Sequence, residues 1–294
     1  MLLIMQNKNV KGISAEMPFC FPFKWVRKAE RMNILFIGDI MGRCGRDAVF
    51  EMLPEIKNEY NIDYTIANGE NASGGLGMNR TGYEELRRAG IDFFTMGNHT
   101  FSKKDIVSLM NEGENIVRPA NLDGENPGEG MAIVNVGGVK IAIINLIGRV
   151  YINENHHSPF FTADELVKKA LEKTKNIIID FHAEATSEKE ALGYYLDGRV
   201  SALLGTHTHI QTADERILPC GTAYITDVGR TGARDSVLGL DKDASIARFV
   251  MPPHQKKPPF NVARGKSQLC AVVIKLNEES GRAEEIIRLC VLQK

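Results

Sequence analysis

The chain has 294 residues, 36 Lys and Arg against 37 Asp and Glu for a formal net charge of -1, and 43% hydrophobic residues, enough for a sizeable core. With no long block of like charge, a polyanion-binding tail is excluded and a long nucleic acid is not an expected partner. No apolar run reaches the roughly 20 residues that span a bilayer, so no membrane partner is expected, and five cysteines without a C-x-x-C pair fit a reducing cytoplasm.

Residues 1–31 show neither helical nor strand period and lack the apolar stretch of a signal peptide. Two readings stay open for this segment: an extension foreign to the native protein, with translation starting at Met32, or a poorly ordered arm on the surface. From Asn33 onward, short apolar strands alternate with amphipathic helices, and residues 32–294 read as one domain. Ile34-Leu35-Phe36-Ile37 is a strand that stops at Gly38. Segment 46–60 carries Val49, Met52, Leu53 and Ile56 at helical spacing around Pro54, where a kink or break is expected. Strand 64–67, helix 81–89 and strand 91–96 follow. Gly137-Gly138 separates two apolar runs, 133–136 and 139–146, as in a two-residue hairpin. Helix 163–173 leads to strand 177–181, helix 187–196 to strand 200–204. Beyond that the pattern reads as antiparallel, with a turn at Gly221 and strand 269–275 paired with 285–292, after a proline-rich exposed loop, 251–268.

Polar residues stand where these strands end. Asp39 follows Ile37, Glu70 and Asn71 follow Ala67, Asn98 and His99 follow Met96, His182 follows Phe181, and His207 and His209 follow Leu204. In α/β sheets the strand carboxyl ends share one edge, so these segments converge on one crevice. Each has an ordinary explanation taken singly: Asp39 as a helix cap, Asn98-His99 as a turn, His182 as a core histidine. His207 and His209 face the same way only if their segment is extended. Together, imidazole, carboxylate and amide groups without thiolates point to a site for borderline metals such as iron, manganese or zinc. Two divalent ions roughly 3.5 to 4 Å apart clamp a phosphoryl oxygen. Against only two carboxylates they leave a positive pocket that attracts an anion.

The series Gly38-Asp39, Asn68-Gly69-Glu70-Asn71, Gly97-Asn98-His99, Phe181-His182 and Gly205-Thr206-His207-Thr208-His209 resembles the calcineurin-like metallophosphoesterases, and within them the bacterial YmdB-type branch. Met41 stands where the commoner pattern has a histidine, Glu70-Asn71 replaces the usual Asp, and Thr100 stands where an acidic residue is more common; these departures fit the branch. The resemblance implies a four-layer α-β-β-α sandwich with mixed sheets. It implies that Asp39, Asn71 and His209 hold one metal, that Asn98, His182 and His207 hold a second, and that Glu70 bridges them. Iron and manganese are the expected metals. His99 is the implied general acid, a task suited to a group with an unperturbed pKa near 6.5. The implied reaction is hydrolysis of 2',3'-cyclic nucleotides to 3'-nucleotides by a metal-bridging hydroxide. A phosphomonoesterase or nucleotidase and a slow-turnover regulatory nucleotide-binding protein are the two rivals, and assembly into a homo-oligomer stays open.

Other features carry less. His156-His157 reads as a surface loop or a substrate lid, and Arg230-Thr231-Gly232 as a candidate anion holder beside the site.

Overall fold

The computed structural model describes residues 31–153, 155–252 and 254–294. Residues 1–30 of the expected extension lie outside the described residues, and Arg31 already belongs to the first strand. In chain order the elements are β1 (Arg31–Ile37), β2 (Asp39–Ile40), α1 (Gly42–Glu59), β3 (Tyr64–Asn68), α2 (Arg80–Ala89), β4 (Phe93–Thr95), α3 (Asp105–Asn111), β5 (Ile116–Val117), β6 (Met131–Val136), β7 (Val139–Ile147), α4 (Pro159–Leu171) and β8 (Ile177–His182). There follow α5 (Thr186–Leu196), β9 (Ala202–Thr206), β10 (Arg216–Ile217), β11 (Ala223–Ile225), β12 (Arg230–Ala233), α6 (Lys242–Val250), β13 (Ser267–Asn277) and β14 (Ala283–Leu292).

Two mixed sheets result. The first runs β2-β12-β13-β1-β3-β4-β5, with β14 also paired to β13; the second runs β10-β11-β9-β8-β7-β6. β1 explains the layering by itself. Its side chains alternate, so Leu35 and Ile37 pack under α1, α2 and α3, whereas Ile34 and Phe36 pack toward the second sheet. From Ile34 onward both faces are buried, which is why residues 34–37 are an unbroken apolar run. A third apolar layer, with Ile177, Ile179, Phe181 and Leu203, seats α4 and α5 on the outside of the second sheet. Three cores between four layers make the expected α-β-β-α sandwich.

The hairpin at Gly137-Gly138 is present, both glycines taking positive φ, and Lys275 pairs with Glu285 as anticipated. Other expectations need correction. α1 begins at Gly42 and runs unbroken through Pro54. The carbonyl that loses its N–H partner there belongs to Phe50, which is 71% exposed and so lies on the solvent side of the helix. The late strands are only partly antiparallel: β11 adds parallel to β9, and β12 parallel to β2. Among the described residues no helix is long and apolar enough to cross a membrane.

Candidate metal and catalytic site

At the carboxyl ends of the central strands, the face between the sheets turns from apolar to polar. Two residues beyond Ile66 comes Asn68, beyond Phe93 comes Thr95, beyond Ile178 come Asp180 and His182, and beyond Leu204 comes Thr206. All five polar side chains are fully buried and must therefore find partners. They meet on Asp180. Its Oδ2 accepts from Asn68 Nδ2 (3.0 Å) and Thr95 Oγ1 (2.5 Å), and its Oδ1 from Thr206 Oγ1 (2.7 Å). Burial pushes Asp180 up to about 6, against the pull of His182 and these hydrogen bonds.

On this floor the eight residues singled out by the sequence come together. His182 Nδ1 lies 2.9 Å from Thr206 Oγ1, whose own proton is given to Asp180, so Nδ1 carries a hydrogen and Nε2 turns inward. His209 Nδ1 donates to the carbonyl of Leu238 (2.8 Å), which leaves Nε2 beside Asn71 Nδ2 (3.1 Å) and Asp39 Oδ1 (3.9 Å). His207 Nε2 lies 3.2 Å from Glu184 Oε2, which leaves Nδ1 pointing at His182 Nε2, 3.0 Å away. In each imidazole the outer nitrogen is tied to an oxygen and the inner nitrogen faces the cluster.

The inner atoms are too rich in lone pairs to satisfy one another. Around His182 Nε2 stand His207 Nδ1, Asn98 Oδ1 (2.9 Å) and Glu70 Oε1 (3.3 Å). Four acceptors in one spot require a cation, whether a proton or a metal ion. The electrostatics show the same demand. Burial opposes charge on His182, yet Glu70, Asp39 and Asp180 raise it to about 9. Burial and the neighbouring His182 push His207 down to about 3. Burial would lift Glu70, but His182 and His99 hold it well below the usual carboxylate range; Asp39 is raised, burial being the main cause. Asp39 Oδ1 is buried without a hydrogen-bond partner. Among the described residues, Glu70, His182 and His207 place one ligand atom each within 4.8 Å of one another. Nitrogen and oxygen donors with an orphaned carboxylate oxygen fit a site for borderline metals.

The loops that carry these groups are tightly constrained. A Cβ at Gly97 would collide with the Glu70 carboxylate and the His182 ring, so only glycine lets the Asn98-His99 turn approach this closely. His207 and His209 are not extended: they take φ of 100° and 65°, so the turn, not strand alternation, brings both inward. Buried Asp227 secures that turn. Its Oδ2 accepts from Thr208 N (3.0 Å), Thr208 Oγ1 (2.8 Å) and the buried Lys189 Nζ (2.8 Å). Arg230 serves the same loop rather than a ligand, its guanidinium donating to the carbonyls of His209 (3.2 Å) and Ala233 (3.2 Å) and to Ser236 Oγ (3.0 Å).

His99 lies at the rim. Its N–H donates to Glu70 Oε2 (3.0 Å) and its Nδ1 faces Asn71 Oδ1 (2.8 Å), leaving Nε2 without a hydrogen bond to the cluster. Two cavities open here. One, of about 390 Å³, is walled by Met41, Leu76, Leu238, Phe260 and Val262 and includes His99. The other, of about 420 Å³, is polar, with Asn98, Asp123, Asn126, Tyr151 and His156. The two share His207.

Comparison with known proteins identifies the family. Residues 35–289 match the family described as YmdB-like protein. The 2',3'-cyclic-nucleotide 2'-phosphodiesterase of Bacillus subtilis (strain 168) is 49% identical over 260 residues, 88% of this chain and 97% of the relative. A crystal structure described as a novel phosphatase from Mycoplasma pneumoniae superposes with a TM-score of 0.83 at 35% identity, covering 90% of this chain and 94% of that one. A protein of Thermus thermophilus described as hypothetical gives 0.82 at 41% identity, covering 90% of this chain and 100% of that one. The chain belongs to the YmdB-like family of metallophosphoesterase-type enzymes.

Proposed function

We propose that this enzyme is a phosphodiesterase that hydrolyses 2',3'-cyclic nucleotides to 3'-nucleotides at a dinuclear metal site, with His99 as general acid. The observation that carries the reading is the convergence of three inward-facing imidazole nitrogens on Glu70 and the unpartnered Oδ1 of Asp39. Asp39, Asn71 and His209 would hold one metal, Asn98, His182 and His207 the other, with Glu70 between them. Iron or manganese suits these ligands. When bound, two such ions supply an activated water near neutral pH and neutralise charge on the phosphoryl oxygens.

The chain's own residues do the rest. Thr206, Glu184 and Leu238 fix the outer nitrogens of His182, His207 and His209, so the site needs little reorganisation before substrate arrives. Asn71 Oδ1 orients the His99 ring and leaves Nε2 toward the substrate. Water adds to phosphorus, the P–O2' bond breaks, and His99 Nε2 gives O2' its proton. The product is a 3'-phosphomonoester with a free 2'-hydroxyl. A cytoplasmic setting accords with the described cysteines, all free thiols.

The test is product analysis by phosphorus NMR on 2',3'-cyclic, 3',5'-cyclic and monoester substrates with the metal-loaded enzyme. The expected result is rapid conversion of 2',3'-cyclic AMP to 3'-AMP alone. Faster turnover of monoesters would favour the nucleotidase reading, and negligible turnover on every substrate the regulatory one.

A further inference from the structure

The two cavities beside the donor cluster are chemically unlike, and His99 belongs to only one of them. In a 2',3'-cyclic nucleotide the leaving oxygen, O2', is on the carbon next to C1', which bears the base. O3', which keeps the phosphate, is one carbon further away. A group that protonates O2' therefore stands at the C1' end of the ribose, nearer the base than a group at O3', although O2' and the base project from opposite faces of the ring. We propose that the nucleobase enters the apolar cavity that His99 lines and stacks on Phe260. This inference rests on the proposed cleavage of the P–O2' bond.

Phe260 is prepared for that role. The residue is 63% exposed, and one face of the ring carries the Arg248 guanidinium 3.8 Å from the centroid. Arg248 is itself fixed by donating to the carbonyl of Pro258 (2.7 Å). As Phe260 also lines the cavity, a base stacked on the face that Arg248 does not cover would complete an arginine-phenylalanine-base stack. The wall around it is tied down. Leu240 bridges both Val237 and Val262, Asp241 N donates to Asn261 O (2.8 Å), and Ala263 N donates to Gly239 O (2.9 Å). Leu238 of the same strap gives its carbonyl to His209 Nδ1, so the apolar wall and the donor cluster are joined. A volume of about 390 Å³ lies within the range of small-molecule pockets, about 300–1,000 Å³. The apolar wall of this cavity, opposite its donor-cluster side, reads ring area rather than base edges, so purines should bind more tightly than pyrimidines.

The polar cavity offers a competing platform, Tyr151, which is 85% exposed. Calorimetric binding of adenosine 3'-phosphate and of inorganic phosphate to the metal-loaded enzyme separates the two. Phe260→Ala should weaken adenosine 3'-phosphate about tenfold, a loss typical of a stacked base, and leave inorganic phosphate unchanged. Phe260→Trp should restore it, and Tyr151→Ala should have no effect. Loss in Tyr151→Ala with none in Phe260→Ala, or equal binding by all variants, would overturn the proposal. Because binding is read without turnover, a failed base seat is distinct from a failed function, which would show as absent 3'-AMP in the product analysis.

Discussion

Two buried polar clusters lie close together on the same strand ends, and they differ in one respect. Around Asp227 every carboxylate oxygen is answered: Oδ2 by Lys189 and Thr208, Oδ1 by the N–H of Gly229 (2.8 Å). Around Glu70 both carboxylate oxygens also have donors, Oε1 in Asn71 Nδ2 (3.0 Å) and Oε2 in His99 N (3.0 Å), but the His182 and His207 nitrogens face each other and Asp39 Oδ1 has no partner. A saturated cluster is structural, because nothing in it asks for a ligand. An unsaturated one of equal burial is held in place by the fold for something that binds. The contrast separates groups that the sequence lists side by side, since Thr208 and Asp227 serve the first cluster and His207 and His209 the second.

This comparison yields predictions of graded size. The largest effect is expected from Glu70→Gln, which removes a carboxylate from the unsaturated cluster. Metal binding and turnover should fall together, and retention of full metal content would break the assignment of Glu70. For His99→Ala, turnover should drop about 10²- to 10⁴-fold with metals retained, as for the loss of a general acid. Wild-type rates on a poor leaving group would contradict that role. Lys189→Met, in the saturated cluster, leaves Asp227 as an uncompensated buried charge and should cost about 3–5 kcal/mol of stability. Denaturant unfolding should show the same loss with and without metal; a loss confined to the metal-loaded protein would place Lys189 in the wrong cluster. The smallest effect should come from Thr206→Val, which unties the outer nitrogen of His182. Metal affinity should weaken about 10- to 100-fold, and an unchanged affinity measured by competition with a chelator would dissociate Thr206 from the site.

Much of this was legible in the sequence because two simple periods carried it. Apolar runs ending at Gly38, Ala67, Met96, Phe181 and Leu204 located the strand ends, and the polar residues just beyond them located the cluster. What escaped depends on contacts between distant residues. Asp180 and Thr206 continue an inter-sheet face whose identity appears only when the second sheet is in place. Glu184 matters only because His207 turns toward it. The left-handed turn at His207 and His209 has no local signature, since neither residue is glycine. Short elements such as β2, β5 and β12 are too brief to show a period, and Arg230, read as an anion holder, instead fastens backbone carbonyls. The strap 237–241, which ties the apolar wall to His209, is likewise visible only in the fold.

The central claim is that the unsaturated cluster holds two metal ions. Native mass spectrometry of the protein reconstituted with iron or manganese counts them directly. Two ions per chain in the wild type, reduced in Glu70→Gln and unchanged in His99→Ala, is the predicted result. A single ion or none in the fully reconstituted wild type would contradict it.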